Sequence, residues 1–214
     1  MSKVMIVGAS GFGKEVAWLC KRLGRTVLGF LDDNPKLKDG SFYELPVLGS
    51  TSDWHQYEEC EFVVAIGAPR VRKKIVESMR KLGKPQFATL IDPSAQIDCD
   101  VTVIGEGTVI CSGAVCTADV KIGTHVVINK LCSIGHDVNI CDYVTLAPMV
   151  MLGGHVEVQS GVEVGASAAV RQGCTLSVGS MIGMGSVVLK DTQVNEVVLG
   201  NPAKHYKWTE DFYA

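Results

Sequence analysis

Ile104, Ile110, Cys116, Ile122, Ile128, Ile134, Ile140, Leu146, Leu152, Val158, Val164, Val170, Leu176, Ile182, Val188 and Val194 stand six residues apart without interruption. All sixteen are apolar, and fifteen are Ile, Leu or Val. With about half of residues apolar, such a run arises by chance on the order of once in tens of thousands of trials. The position two before each is small or β-branched in most hexads (Thr102, Thr108, Ala114, Val120, Val126), and the position just after is often Gly, Ala, Cys or Ser. A repeat that keeps phase this long outranks local propensity as evidence. Six residues make a short strand and a corner, with one large aliphatic side chain pointing inward. Three such faces close a triangular coil of 18 residues, and about five coils fit between residues 102 and 194. A β-sandwich, with turns every 8–12 residues, would lose this phase.

The grammar before residue 90 is different. Lys3–Val7 reads as a short buried strand, Gly8-Ala9-Ser10-Gly11-Phe12-Gly13 as a glycine-rich turn, and Lys14–Leu23 as a helix with a stripe at Val16, Ala17, Leu19 and Cys20, closed by Gly24. Thr26–Leu31 is a second strand, followed by the turn Asp32-Asp33-Asn34-Pro35. Glu61–Ile66 is a third, and Arg70–Leu82 a polar-faced helix ended by Gly83. This alternation predicts a Rossmann-like βαβ domain over residues 1–86, with ligand loops at the carboxyl ends of its strands, and the solenoid over residues 87–214.

Composition excludes several classes. The chain of 214 residues has 47% apolar residues, a net charge of −3 and no Lys/Arg block, so a nucleic-acid partner is not expected. No apolar run reaches the roughly 20 residues of a membrane span. The start, Met1 through Val7 into Gly8, does not read as a signal peptide. The eight cysteines, at 20, 60, 99, 111, 116, 132, 141 and 174, form no C-x-x-C pair and read as small apolar residues of a cytoplasmic protein. The five histidines show no H-x-x-x-H spacing, and no metal is expected.

The hexad array resembles the hexapeptide-repeat acyltransferases, whose catalytic half is a left-handed parallel β-helix. Together with Gly8–Gly13, Phe30-Leu31-Asp32-Asp33, Ala65-Ile66-Gly67, Asn129, Ile134-Gly135-His136-Asp137 and Gly200-Asn201-Pro202-Ala203-Lys204 in the same order, nearly the whole chain resembles bacterial sugar acetyltransferases of the sialic acid O-acetyltransferase and bacillosamine-pathway N-acetyltransferase group. The resemblance implies acetyl-CoA as co-substrate, a homotrimer, and an N-acetyltransferase of nucleotide-linked amino sugars in surface glycan biosynthesis. The rival readings are a sugar O-acetyltransferase and a non-catalytic β-helix binding protein.

The residues give this reading its chemistry. Gly8-x-x-Gly11-x-Gly13 opens a helix whose free amides favour a phosphate, although the spacing is not that of a dinucleotide fingerprint. The resemblance places Ser10, Gly11, Phe12, Asp32, Asp33 and Gly67 around the sugar nucleotide; Asp32-Asp33 also reads as a plain turn. Relatives usually carry His where this chain has Phe12.

His136 breaks the repeat at a corner with Asp137 beside it. Acetylation needs a proton removed from the attacking nucleophile, which a neutral imidazole performs near neutral pH, and a carboxylate neighbour raises its basicity. The resemblance makes His136 the catalytic base and Asp137 its support. Residues 18 apart stack, so Asp137 falls under His155 and His136 under Gly154. His155, where relatives more often have Asn, contacts substrate or is a bystander. His55, His125 and His205 read as inert. Thr145 stands where several relatives carry a second His against acetyl-CoA. Gly165, Ala166, Gly183 and Met184 match the groove for the pantetheine arm, and their glycines equally suit tight corners.

Overall fold

A computed structural model describes residues 3–38, 40–98 and 101–214. Met1 and Cys99, both read above, lie outside the described residues. The chain divides into two compact units, residues 1–90 and 91–214. No helix among the described residues is long and apolar enough to cross a membrane.

The first unit holds β1 (Val4–Val7), α1 (Gly11–Arg22), β2 (Val27–Leu31), β3 (Ser41–Phe42), β4 (Leu45–Gly49), a 3-10 turn (Thr51–Tyr57), β5 (Glu61–Val64), α2 (Pro69–Leu82) and β6 (Gln86–Phe87). The sheet order is β3-β4-β2-β1-β5-β6, parallel except for the β3–β4 pair. β1 is buried along its whole length, as the central strand of a parallel sheet must be. Both helices start earlier than the sequence reading placed them. Ser10 caps α1, and Pro69 occupies the first turn of α2, where its missing N–H costs nothing. β4 has no counterpart in the sequence reading, and it carries Pro46, a residue that is unusual inside a strand. It is tolerated because β4 has only the two-residue β3 on its outer side, where Pro46 lies opposite Ser41.

Beyond β7 (Leu90–Ile91) come fifteen two-residue strands, β8 (Val103–Ile104) to β22 (Val187–Val188), at a constant spacing of six. They stack in parallel into three sheets, and each strand from β8 to β19 pairs with the one 18 residues on. This is the left-handed parallel β-helix, with five coils over residues 103–188. One sheet carries β8, β11, β14, β17 and β20; a second carries β10, β13, β16, β19 and β22; the third includes β9, β12, β15, β18 and β21. From Ile110 to Val188 every sixth residue is buried. The position two before is equally buried, from Thr108 and Ala114 to Ser186, so each face sends two residues inward rather than the single one expected. The small one fills the angle of the triangle that a second large side chain would overfill.

The corners carry a feature that residue types do not announce. Every sixth residue from Gly107 to Gly185 has positive φ, between 52° and 72°. Eight of these are not glycine: Asp119, His125, Leu131, Asp137, Tyr143, Met149, His155 and Ser167. For an L-residue this conformation costs roughly 1–2 kcal/mol. It is compensated locally, because the corner N–H donates to a carbonyl of the preceding coil, as in Asp137 to Ala118 and His155 to His136.

The array ends one hexad earlier than the apolar spacing implies. Val194, the last residue of the run, is 54% exposed and lies in no strand. The chain shortens its last coil: Thr192 donates to Thr175, and β23 (Glu196–Leu199) places Val198, not the residue 18 on, beside Ile182 of β21. After Gly200–Pro202, β24 (Lys204–Trp208) returns antiparallel to β23.

Candidate active site

The parallel sheet of the first unit brings three loops to the carboxyl ends of adjacent strands. The Gly8–Gly13 loop follows β1, Asp32-Asp33 follows β2, and Ala65-Ile66-Gly67 follows β5. This is where open α/β sheets bind ligands. Ser10, Gly11 and Gly67 are exposed, and Phe12 is half-buried. The Ser10 hydroxyl accepts from the Gly13 N–H at 3.5 Å. Both acidic side chains also hold the loops. Asp32 accepts from the Ala9 N–H at 2.7 Å and the Asn34 N–H at 2.8 Å, which fixes the glycine loop against its neighbour. Asp33 accepts from the Thr51 N–H at 2.8 Å and from its hydroxyl at 2.9 Å. The alternative reading of this pair as a turn is thus true of its structure, and Asp33 still faces solvent. Sequence reasoning missed Arg72. It is buried, and its guanidinium donates to the carbonyls of Ile66 and Gly67, shaping the third loop from beneath. Arg72 shares the buried face of α2 with Pro69, Val76 and Met79, and among the many basic residues of this helix its burial gives no signal in a single sequence.

In the solenoid, His136 and Asp137 form the corner between β13 (Ser133–Ile134) and β14 (Asn139–Ile140). The left-handed φ of 56° at Asp137 turns its side chain back to the preceding ring. His136 Nδ1 lies 2.6 Å from Asp137 Oδ2. That hydrogen bond is the main cause that holds the Asp137 carboxyl below its usual value of 3.8, with the charge of His155 adding to it. One coil on, His155 has the same backbone conformation, φ 57°, and its N–H donates to the His136 carbonyl at 2.9 Å. Its Nε2 lies 3.7 Å from Asp137 Oδ2, and its ring meets that of His136 edge-on, with centroids 5.0 Å apart. The three side chains are 60%, 45% and 67% exposed. Gly154 stacks on His136 so closely that a Cβ there would lie 2.6 Å from Nε2. The stacking register expected from 18-residue coils is therefore what is found. His136, Asp137 and His155 offer ligand atoms all within 4.8 Å of one another, a grouping that helical spacing rules cannot detect.

The other histidines stand apart from this corner. His55 turns its ring to the Ser52 carbonyl, His125 is buried and stacked on Tyr143, and His205 meets Glu196 at 3.1 Å.

The residues matched to acetyl-CoA lie elsewhere. Gly165-Ala166 and Gly183-Met184 form the corner between the third sheet and the second, and Met184 is exposed. Thr145 begins β15 on the third sheet and is buried. Within one chain, therefore, the second sheet separates the His136 corner from the Gly165 and Gly183 corner. The structure brings His136, Asp137 and His155 together, and does not bring Thr145, Gly165, Ala166, Gly183 or Met184 to them. Leu131 and Met149 project from the same corner as Gly165, and Met151 from the second sheet; all three are exposed apolar side chains. Two of them occupy left-handed corners, where such residues are unusual.

Comparison with known proteins agrees with this architecture. Residues 3–79 match the family described as the PglD N-terminal domain. The acetyltransferase domain of PglB from Neisseria gonorrhoeae, solved with acetyl coenzyme A, is 32% identical over 96% of this chain and 99% of its own, with a TM-score of 0.89. A mutant of perosamine N-acetyltransferase from Caulobacter crescentus, solved with CoA and GDP-perosamine, is 28% identical over 97% and 98% of the two chains, also with a TM-score of 0.89. Among curated proteins, the acyl-(acyl-carrier-protein)–UDP-N-acetylglucosamine O-acyltransferase of Pseudomonas aeruginosa is 35% identical over 114 residues. That match covers 53% of this chain and 44% of the relative, so the chain spans less than half the length of the curated relatives it matches.

Proposed function

This chain belongs to the hexapeptide-repeat bacterial sugar acetyltransferases, and from that premise we propose that it transfers the acetyl group of acetyl-CoA to the amine of a nucleotide-linked amino sugar. The observation that carries the proposal is the 2.6 Å pairing of His136 Nδ1 with Asp137 on an exposed corner. With Nδ1–H donated to the carboxylate, the lone pair of His136 lies on Nε2 and is available to a substrate. The thioester supplies an activated acyl carbon. As the sugar nitrogen bonds to that carbon and the C–S bond breaks, Nε2 takes the proton from nitrogen and can return it to the departing thiolate. Asp137 fixes the ring tautomer and stabilises the imidazolium, worth together with the base roughly 10²–10⁴ in rate.

The first unit supports the sugar-nucleotide part. Ser10, Gly11, Phe12, Asp32, Asp33 and Gly67 line the strand ends, and the helix N-terminus at Gly11 offers amides to a phosphate. Thr145, Gly165, Ala166, Gly183 and Met184 hold acetyl-CoA. Since Gly165, Ala166, Gly183 and Met184 on one side and His136 on the other border opposite edges of the second sheet, a homotrimer built around that sheet joins the His136 edge of one protomer to the Gly183 edge of the next. Leu131, Met149 and Met151 are the apolar residues such an interface would cover. Acetyl-CoA, and the seven described cysteines as free thiols, fit a cytoplasmic enzyme of surface glycan synthesis.

The test is acetyl-CoA turnover against UDP-, GDP- and dTDP-linked amino sugars and free sialic acid, with His136→Ala alongside. Turnover with one amino-sugar nucleotide, lost in His136→Ala at unchanged fold, is the expected result. Exclusive use of a hydroxyl acceptor would make the chain an O-acetyltransferase. Unchanged turnover in His136→Ala would remove the base.

A further inference from the structure

The reaction above needs His136 and Asp137 but leaves His155 without a task. The geometry of the corner supplies one. His155 sits one coil above the pair, locked to it by the 2.9 Å main-chain bond to the His136 carbonyl. Asp137 and His155 share the left-handed conformation, so their side chains leave the solenoid in parallel. Asp137 Oδ2 stands between two imidazole nitrogens, 2.6 Å from His136 Nδ1 and 3.7 Å from His155 Nε2. Ligands at about 2.0–2.1 Å from a tetrahedral zinc ion lie about 3.3 Å from one another. The 2.6 Å edge must open and the 3.7 Å edge close, each by less than about 1 Å, and the two imidazole nitrogens, within 4.8 Å of each other, must draw together. All three side chains are more exposed than buried or nearly so, which leaves them free to make that adjustment and leaves a fourth position to water.

We propose that His136 Nδ1, the Asp137 carboxylate and His155 Nε2 form a binding site for a divalent transition cation of the zinc type, and that the bound cation switches the base off. Two imidazoles and one carboxylate suit zinc, copper or nickel far better than magnesium or calcium. The proton balance explains the inhibition. A cation on Nδ1 selects the other neutral tautomer: the proton leaves Nδ1 and, by exchange through solvent, one proton is taken up on Nε2, where the lone pair that receives the amine proton had been, with no net release. No electrons change hands, and removing the cation restores the original tautomer. The inhibitory half of this proposal rests on the catalytic role given to His136; the binding half does not.

The experiment uses the full chain stripped with EDTA. Calorimetric titration with zinc chloride should give one saturable site per chain, and cobalt(II) should develop the visible bands of a low-symmetry N/O site. Acetyl transfer should fall over the same zinc concentrations and return with EDTA. His155→Asn, checked for fold by circular dichroism, should weaken zinc at least about tenfold, the order of effect seen when metal-site partners are removed. No saturable binding, or His155→Asn binding as tightly as the unaltered chain, overturns the site. Saturable binding without loss of turnover overturns the switch. A chain that binds zinc and transfers no acetyl group to any acceptor retains the site and defeats the proposed function instead.

Discussion

Gly154→Ala separates the position of the His136 ring from its chemistry. Gly154 is not in the left-handed region, so alanine can adopt its backbone without strain. The added methyl, however, would stand 2.6 Å from His136 Nε2 and 2.7 Å from its Cε1. Ordinary contact begins near 3.4 Å, so the ring must retreat by about 0.8 Å. It can do so, being 60% exposed. A displacement near 1 Å at a reacting atom costs on the order of 10²-fold in rate. Gly153→Ala is the control, because its methyl would meet the Gln172 main-chain nitrogen at 2.6 Å, which no rotamer change relieves. Gly154→Ala should therefore lower kcat about a hundredfold with melting temperature nearly unchanged, while Gly153→Ala lowers the melting temperature. Loss of thioester absorbance measures the first quantity and circular dichroism the second. Full kcat in Gly154→Ala would refute the placement of Nε2 in the transfer step.

Asp137→Asn should lower kcat by about 10²–10⁴, because an amide NH₂ facing Nδ1 favours the wrong ring tautomer. Since the His136 hydrogen bond holds the Asp137 carboxyl below 3.8, its contribution to stability is complete above that pH and is lost as pH falls through the lower folded value. A pH–rate profile from 5 to 9 should then show no inflection from Asp137, and an inflection removed by Asp137→Asn would contradict this. Burial raises the thiols of Cys20 and Cys132 to about 11. Both should resist a thiol-specific reagent at pH 8 in the native protein and react once it is unfolded. Their contribution to stability is present below 9.0 and is lost as pH rises toward about 11, visible as a falling melting temperature. Leu146→Ala, in the centre of the solenoid core, should cost about 2–5 kcal/mol in a denaturant titration.

The solenoid was legible because its inward residues carry the signal directly: a large aliphatic side chain every sixth position is what the triangle's interior requires. The same rule failed at Val194, where residue type continued the series after the backbone had left it. The stacking of His155 over Asp137 followed from arithmetic on 18-residue coils alone. The left-handed corners did not, because Leu131, Tyr143 and Met149 are poor residues for that conformation and are held there by the hydrogen bonds their N–H groups donate to carbonyls of the preceding coil. The double duty of Asp32 and Asp33 was open at the level of sequence, since a carboxylate's partners in a loop depend on which strands lie side by side. The separation of the His136 and Gly183 corners by a whole sheet is a property of closure into a prism, invisible in a linear string.

The direction of the corner bonds has a bearing on how the protein is made. From His125 to Gly185, the corner amides reach back to a carbonyl that left the ribosome about nineteen residues earlier, as with Tyr143 to Thr124 and Met149 to Lys130. The corner amides of a newly emerged coil thus find their acceptors already in place, while its strand amides, as with Val127 to Val144, are satisfied by the coil that follows, and the prism can lengthen in step with translation. The earliest corners, Gly107 and Gly113, are glycine, the residue that takes this bend without help. Removing coils from the carboxyl end should leave a stump that still holds together, whereas cutting away the coil of Gly107 and Gly113 strips His125 and Leu131 of the acceptors on which their bends depend.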